Sequence, residues 1–241
     1  MNVFIFPGQG AQFKGMVQDF CSENESLLQI IKEAEKISNR SVTKILWETE
    51  LSELSRSDNS QLAITVASIV IINELKNRGI ESDICAGFSL GEFSALYDSG
   101  VLSFEDTIKL VTERGNIMQK VCDNLSEKSE GNLPGMMAIL GLPLEQIESL
   151  IEPLSKKGIA FVANINSPKQ TVVSGTYEGL EECEKIFKDS GARRVVRLKV
   201  AGPFHSPLMK DAAIEIEKVL ESVNFNNPQK NLLSNVTGKI I

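Results

Sequence analysis

The sequence feature that most constrains the fold is Gly87-Phe88-Ser89-Leu90-Gly91, a glycine-flanked serine between two apolar patterns. Residues 84–86 form a short apolar run that predicts a buried strand, and the apolar positions that follow have helical spacing: Leu90, Phe93, Leu96 and Tyr97. Gly-x-Ser-x-Gly between a strand and a helix is typical of a nucleophile elbow, whose sharp turn closes only if both neighbours are small. The N–H groups at the start of such a helix can bind an oxyanion formed when the serine attacks a carbonyl.

The composition limits the classes of protein to which the chain can belong. Its 241 residues are 42% hydrophobic and 24% charged, which suits one large domain or a large domain with a small insert. No apolar run approaches the ~20 residues of a membrane span, and no basic segment precedes the strand-like start, so we expect neither a membrane anchor nor a secretion signal. The net charge of −7 argues against nucleic acid as a partner. Four scattered cysteines and one histidine argue against a metal site and are typical of reduced thiols in a cytoplasmic protein.

The first predicted strand, around residues 4–6, runs into the loop Pro7-Gly8-Gln9-Gly10-Ala11-Gln12. Polar side chains that follow a strand of an open α/β sheet lie where ligands bind, so a ligand-binding loop is one interpretation and a solvated turn is the other. The Gly-x-Gly here lacks the third glycine and the later acidic residue of a dinucleotide fingerprint, which excludes nucleotide binding.

Three further segments of the first half have readable patterns. Residues 61–75 are apolar on most sides and predict a core helix, whereas residues 45–60 are predicted to form short connections. Gln61, at the start of that helix, fits a capping amide as well as a site residue. Another helix is predicted to begin after Ser103, with Asp106 completing a variant of the capping box. Arg114 lies on this helix, where simple solvation and a site role both remain open.

After a polar linker predicted at 124–135, the pattern changes to short alternating elements. Strands are expected at 136–140, 159–165, 170–174 and 193–200, and helices at 144–154 and 177–189. This βαββαβ order predicts a ferredoxin-like insert. We therefore expect an α/β fold in which a core made of residues 1–130 and 201–241 carries a small subdomain made of residues 131–200.

The single histidine of the chain, His205, follows this insert in a Gly-Pro turn. A serine that accepts an acyl group needs a base whose pKa lies near 7, and imidazole meets that requirement. If Ser89 is a nucleophile, His205 is the one histidine that can serve it. A purely structural histidine is the alternative.

Five motifs, taken in order, resemble the malonyl-CoA:acyl-carrier-protein transacylase family, which includes the acyltransferases of polyketide synthases. They span nearly the whole chain: Phe6-Pro7-Gly8-Gln9-Gly10-Ala11-Gln12, Gly87-Phe88-Ser89-Leu90-Gly91-Glu92, Glu113-Arg114-Gly115-x-x-Met118, Asn164-x-Asn166-Ser167-Pro168 and Gly202-Pro203-Phe204-His205-Ser206. The resemblance implies an α/β-hydrolase-like core with a ferredoxin-like insert. It also implies transfer of a malonyl group from malonyl-CoA to the phosphopantetheine thiol of an acyl carrier protein, without a cofactor or a metal.

The resemblance also implies a role for each matching residue of the reaction centre. Ser89 would accept the acyl group, and His205 would act as its general base and acid. The backbone N–H groups of Gln9 and Leu90 would form the oxyanion hole.

Substrate selection is implied for two more side chains, Arg114 and Phe204. Arg114 would hold the malonyl carboxylate as a bidentate pair, a geometry for which guanidinium is suited and lysine is not. Phe204 matches the malonyl-selective position, where bulk disfavours an α-methyl branch, and Gln61 is assigned to the substrate site.

Carrier proteins are acidic, and so is this chain, so docking needs a local basic surface. Arg193 and Arg194, with Arg197 and Lys199 beyond them, provide one on the last strand of the insert. An ordinary solvated strand face is the alternative interpretation. We expect the protein to be a monomer.

Two features depart from the family pattern. Phe88 stands where members most often have histidine, which makes the surroundings of Ser89 more apolar. Members usually continue beyond the position of Ile241, where a backbone carbonyl orients the histidine, so we expect the C-terminal part of the core to be missing here. An acyl hydrolase that edits carrier-bound thioesters and a non-catalytic docking scaffold remain as alternatives, and the sequence does not decide between fatty-acid and polyketide synthesis.

Overall fold

The computed structural model describes residues 1–128 and 132–241, and the chain packs as two compact units. One unit comprises residues 1–116 and 216–241, and the other comprises residues 117–215. The domain boundaries predicted at 130/131 and 200/201 stay a prediction, because compact packing alone does not define a domain. The linker predicted at 124–135 is helical as far as Lys128, and its residues 129–131 lie outside the described residues.

The described residues form strands and helices in the following order. The strands are β1 (Val3–Phe6), β2 (Ile84–Gly87), β3 (Gly135–Leu140), β4 (Ala160–Ser167), β5 (Gln170–Gly175), β6 (Arg194–Arg197) and β7 (Asn231–Leu233). The helices are α1 (Gln18–Glu23), α2 (Glu25–Ser38), α3 (Val42–Trp47), α4 (Leu51–Leu54), α5 (Ser57–Asn77), α6 (Gly91–Asp98), α7 (Phe104–Lys128), α8 (Leu144–Lys156), α9 (Tyr177–Asp189) and α10 (Lys210–Leu220), with a 3-10 turn at Pro207–Met209.

The unit that contains the elbow is built on a parallel sheet with the strand order β1-β2-β7. Parallel strands end at the same edge of a sheet, so three loops emerge side by side there. They are the glutamine loop after β1, the turn at Ser89 after β2 and the segment 234–238 after β7. The predicted strand and helix on either side of Ser89 are confirmed by β2 and α6.

Helix α5 is the core helix of this unit and is buried on nearly every side. It begins at Ser57, and α3 and α4 precede it, so the prediction of short connections at 45–60 is wrong. The polar start of α5 can be buried because its side chains find partners. Asn59 donates to the carbonyl of Glu53 at 2.9 Å and accepts from Arg40 at 2.7 Å, and Ser60 donates to the carbonyl of Arg56 at 2.8 Å. No helix in the described part of the chain is both long and apolar enough to span a bilayer.

The second unit contains an antiparallel sheet with the order β4-β5-β3-β6, covered by α8 and α9. Its apolar centre includes Met137, Val173 and Phe187, all fully buried. The predicted α/β class and the βαββαβ order are confirmed, whereas the hydrolase-like character of the core stays a prediction. Strand β6 ends at Arg197 rather than at residue 200, although the N–H of Leu198 still donates to the carbonyl of Met136 on β3 at 2.9 Å.

A buried ionic cluster joins α6 to the sheet at the edge opposite the elbow. Asp98, the last residue of α6, has no exposed side-chain surface and accepts hydrogen bonds from Ser82 and from Lys230, the latter at 3.2 Å. Lys230 also donates to the hydroxyl of Ser82 at 2.9 Å. Because Ser82 precedes β2 and Lys230 precedes β7, the cluster fixes the far end of α6 to the start of both strands.

Replacing Lys230 with methionine should leave the carboxylate of Asp98 buried without its nearest cation. Removing one partner of a buried pair costs about 3–5 kcal/mol, and we expect the lower end here because Ser82 and Lys76 still face Asp98. Urea unfolding measures the loss. Lys109→Met breaks an exposed helical pair with Glu105 and should leave stability unchanged; equal losses in the two variants would contradict a structural role for the cluster.

Candidate active site

The backbone of Ser89 adopts a left-handed conformation with a φ of 51°. The turn is held by hydrogen bonds from the N–H of Gly91 to the carbonyl of Phe88, at 2.9 Å, and from the N–H of Glu92 to the carbonyl of Ser89, at 3.0 Å. A Cβ on Gly87 would overlap the backbone of residues 91 and 92, and one on Gly91 would overlap the carbonyl of Phe6. Both glycines are therefore required by close packing, and the half-buried serine sits at the tip of a strained turn.

The glutamine loop lies directly against this turn. A Cβ on Gly8 would come within 2.7 Å of the carbonyl oxygen of Phe88, and the N–H of Phe88 donates to the carbonyl of Phe6 at 3.0 Å. The N–H of Gln9 and that of Leu90, which precedes the first turn of α6, donate no hydrogen bond to any residue in 1–128 or 132–241. Two N–H groups are thus available beside Ser89 for an oxyanion.

A chain of hydrogen bonds connects the glutamine loop with α5 and α7. Arg114 Nη1 donates to Gln61 Oε1 at 2.5 Å, Gln61 Nε2 donates to Gln9 Oε1 at 3.3 Å, and Gln9 Nε2 donates to Ser60 Oγ at 3.0 Å. Since a guanidinium can only donate, the first bond fixes which way each amide is turned. Gln61, fully buried, is therefore a link between arginine and loop rather than a surface amide.

Arg114 is half-buried, and its guanidinium carbon lies 5.2 Å from the centre of the Phe93 ring. Burial lowers its pKa to about 10, an effect that the nearby carboxylate of Glu92 opposes, so it stays protonated at neutral pH. Within residues 1–128 and 132–241 it donates one hydrogen bond, to Gln61, and has no carboxylate at ion-pair distance. The remaining donors of the guanidinium fork can receive a carboxylate.

Gly115 explains how α7 brings the arginine so close to α5. A Cβ at this position would lie 2.8 Å from the carbonyl oxygen of Ser57. Only glycine permits that approach, and the Arg-Gly pair thereby delivers Arg114 to the fully buried Gln61.

His205 and Phe204 belong to the second unit and lie on a tightly bonded turn. His205 is exposed and has a φ of 55°, whereas Phe204 is buried. The carbonyl of Phe204 accepts from Ser174 Oγ on β5 at 2.5 Å, and Ser206 Oγ donates to the carbonyl of Pro203 at 2.6 Å. The roles assigned to both residues stay predictions.

The basic surface predicted on the insert is only partly available. Arg193 and Arg194 are exposed. Arg197 instead donates to Glu181 at 2.5 Å and lies 5.5 Å from the ring of Tyr177, so its guanidinium is already paired within the insert. The docking role of the first two arginines stays a prediction.

Asn235 is a residue near the elbow that the sequence did not single out. Its Oδ1 accepts a hydrogen bond from the N–H of Ser89 at 2.6 Å, and its own N–H donates to Glu92 Oε1 at 3.4 Å. Its position just after a strand that was not predicted is the signal that could have found it, since polar residues there meet at the edge where ligands bind.

The cysteines are buried and free of disulfides. Burial is the main cause that raises the pKa of Cys21 and Cys85 to about 11 and that of Cys183 to about 12, with smaller contributions from neighbouring carboxylates. These three thiols are protonated at neutral pH and poorly suited to act as nucleophiles. Among residues 1–128 and 132–241, no group of three or more histidine, cysteine or acidic side chains is arranged to hold a metal ion.

Residues 3–237 match the acyl transferase domain family. The chain belongs to this family. It is 35% identical to the malonyl CoA-acyl carrier protein transacylase of Bacillus subtilis over 239 residues, 99% of this chain and 73% of the relative. The corresponding protein of Haemophilus influenzae is 34% identical over 98% of this chain and 74% of its own length. The resemblance drawn from the five motifs is confirmed.

Solved structures of acyl transferases agree with the fold. MCAT from Streptococcus pneumoniae superimposes with a TM-score of 0.90 at 32% identity, covering 100% of this chain and 76% of that one. PlMCAT was solved with AntF (holo), a type II PKS acyl-carrier protein. It superimposes with a TM-score of 0.90 at 32% identity, covering 99% of this chain and 75% of PlMCAT.

Gly87→Ala tests the close packing of the elbow. The added methyl group overlaps the backbone of residues 91 and 92, so we expect a loss of roughly 3 kcal/mol in the free energy of unfolding, near the upper end for single substitutions. The melting temperature should fall by roughly 6–12 °C. Gly135→Ala is the matched control, because its new methyl group would meet Leu180 at an ordinary 3.9 Å. Similar losses in both variants would contradict a tight turn.

Proposed function

We propose that this protein moves a malonyl group from malonyl-CoA to the phosphopantetheine thiol of an acyl carrier protein. The observation that carries the proposal is Arg114, a half-buried cation whose donors are mostly unused within residues 1–128 and 132–241 and whose one hydrogen bond leads through Gln61 to the loop beside Ser89. A charge held in this way favours an anionic acyl group. The names of the relatives, malonyl CoA-acyl carrier protein transacylases, support the same reaction.

In the first half-reaction, Ser89 Oγ attacks the thioester carbonyl while His205 takes the hydroxyl proton. The carbonyl oxygen becomes an oxyanion that the N–H groups of Gln9 and Leu90 stabilise. The C–S bond then breaks, His205 returns the proton to the departing thiol of coenzyme A, and a malonyl-serine ester remains.

In the second half-reaction, the phosphopantetheine thiol of the carrier protein loses its proton to His205 and attacks the ester. The ester C–O bond breaks, Ser89 recovers the proton, and the malonyl group leaves as a thioester on the carrier. Water must be excluded while the ester exists, because it would otherwise hydrolyse the intermediate.

Selection for malonyl is explained by the chain of hydrogen bonds that begins at Arg114. Arg114 pairs with the substrate carboxylate, and Gln61 holds the guanidinium in place through the bond that fixes both amides. Neutral acyl chains would leave the cation unpaired and are rejected. We assign Phe204 the role of disfavouring an α-methyl branch.

The same site could serve a hydrolase or, if inactive, a docking scaffold. A carboxylate clamp favours transfer of malonyl over editing of neutral acyl chains. A strained turn beside two N–H groups that have no acceptor in residues 1–128 and 132–241 favours catalysis over simple docking. We further propose that the protein acts as a monomer in the cytoplasm and without a cofactor. One relative was solved with a type II PKS acyl-carrier protein, and both fatty-acid and polyketide synthesis fit the site.

Intact-mass spectrometry after mixing with malonyl-CoA tests the reaction and the clamp together. The wild type should gain a malonyl adduct that Ser89→Ala lacks. Arg114→Lys keeps the charge but loses the bidentate fork, and a charged hydrogen bond is worth about 1.5–3 kcal/mol, so acylation should slow by roughly 10–100-fold. Arg78→Lys, an exposed arginine paired with Glu74, is the control and should be unaffected.

Two outcomes would overturn these assignments. Free coenzyme A that accumulates without an adduct would favour a hydrolase. If Arg114→Lys leaves both the acylation rate and the preference for malonyl-CoA over acetyl-CoA unchanged, Arg114 does not bind the malonyl carboxylate.

The double variant Arg193→Glu/Arg194→Glu tests the docking surface. Reversing two exposed charges should raise the KM for an acidic carrier protein about tenfold, equivalent to ~1.4 kcal/mol, and should leave acylation by malonyl-CoA unchanged. Lys156→Glu/Lys157→Glu makes the same change of charge at the end of α8 and serves as the control. If both double variants raise the KM equally, the effect is one of net charge and not of a docking site.

A further inference from the structure

The loop that follows β7 places an amide side chain directly on the backbone of the elbow. Asn235 Oδ1 accepts the N–H of Ser89 at 2.6 Å, although the two residues are 146 positions apart in the chain. We propose that Asn235 is a positioning residue that sets the orientation of Ser89 for attack. The inference rests on the proposed acyl transfer, and it concerns a residue outside the five motifs of the family resemblance.

The bond compensates for the unusual backbone of Ser89. A residue other than glycine in the left-handed region is strained by roughly 1–3 kcal/mol, and its N–H lies at the start of a helix, where no earlier carbonyl accepts it. Accepting this N–H stabilises the left-handed turn and fixes the Phe88–Ser89 peptide plane. The direction of the Ser89 Cβ, and hence the reach of its hydroxyl, depends on that plane.

The same bond distinguishes the N–H of Ser89 from the two neighbouring N–H groups assigned to the oxyanion hole. The N–H of Ser89 is occupied by Asn235, whereas those of Leu90 and Gln9 have no acceptor in residues 1–128 and 132–241. An oxyanion therefore finds its donors at Leu90 and Gln9. Loss of the Asn235 acceptor would leave a competing donor free and allow the peptide to turn.

Asn235 is itself held by a short, bonded loop. The N–H groups of Val236 and Thr237 both donate to Ser234 Oγ, at 3.1 and 3.2 Å, and the N–H of Gly238 donates to the carbonyl of Ser234 at 2.9 Å. The N–H of Asn235 donates to Glu92 Oε1 at 3.4 Å, on the first turn of α6. Because β7 runs parallel to β2, this loop emerges beside the elbow without any long connection.

Glu92 connects the loop with the substrate clamp. It accepts the N–H of Asn235, and its negative charge acts on the guanidinium of Arg114 by raising its pKa against the effect of burial. Glu92 therefore contacts the loop directly, through the N–H of Asn235, and acts on the clamp only through its charge.

The test compares Asn235→Leu, which keeps the size of the side chain but removes the acceptor, with Asn235→Asp, which keeps an acceptor. Rapid-quench acylation by malonyl-CoA should slow at least tenfold in Asn235→Leu, with the KM for malonyl-CoA changed less than twofold. Asn235→Asp should react at least tenfold faster than Asn235→Leu. Asn226→Leu, which removes a long hydrogen bond to the carbonyl of Val101 in the same unit, is the control and should acylate normally.

Amide hydrogen exchange at Ser89 provides a readout that does not depend on activity. Exchange should accelerate in Asn235→Leu and stay slow in Asn235→Asp. Normal acylation in Asn235→Leu would overturn the proposal, and so would equal acylation rates in Asn235→Leu and Asn235→Asp. A loss of acylation that is fully explained by a lower melting temperature of Asn235→Leu would overturn it as well.

The two proposals can fail separately. If the wild type forms no adduct with malonyl-CoA, the proposed function fails, and the reactivity of Ser89 is then measured with a fluorophosphonate probe in the same variants. A probe rate that falls in Asn235→Leu and recovers in Asn235→Asp still supports positioning. Equal probe rates in all variants would overturn it.

Discussion

Strand β1 and helix α6 approach each other so closely at Phe6 and Gly91 that the helix presents only a hydrogen atom to the strand carbonyl. The contact at Gly87 is equally tight, and between these two glycines the chain turns from β2 into α6 with Ser89 in the left-handed conformation. Strain at this residue is therefore a consequence of backbone packing. The turn leaves Ser89 half-buried at the end of β2, directly before the N–H of Leu90.

Two loops of the site depend on the packing of β1, β2 and α6, because they emerge beside the elbow at the same edge of the sheet. The loop after β1 brings Gln9 beside the turn, and the loop after β7 brings Asn235. Helix α5 contributes Gln61 and helix α7 contributes Arg114, and Gly115 permits the close contact between the two helices. Each hydrogen bond along the chain from Arg114 to Ser60 has one possible direction, since the first donor cannot accept. The site is thus preorganised before a substrate arrives.

Stability and chemistry lie at opposite ends of α6. The strained serine and the N–H of Leu90, which has no acceptor in residues 1–128 and 132–241, immediately precede the helix, whereas its last residue, Asp98, is anchored by Ser82 and Lys230. A buried ion pair of this kind strongly resists loss of either partner. The cluster thus fixes the far end of α6 to the residues that precede β2 and β7.

The sequence by itself determined the strand, turn and helix around Ser89, the βαββαβ order of the insert and the family, because each depends on local spacing or on contiguous motifs. It failed at residues 45–60, which were predicted to form short connections, because the polar start of α5 is buried only by means of partners distant in the chain, such as Arg40. Only the tertiary structure decided what Gln61, Arg114 and Asn235 do. Their bonds join residues 52, 53 and 146 positions apart, and no periodicity records a contact that arises when separate strands and helices meet at one edge of a sheet.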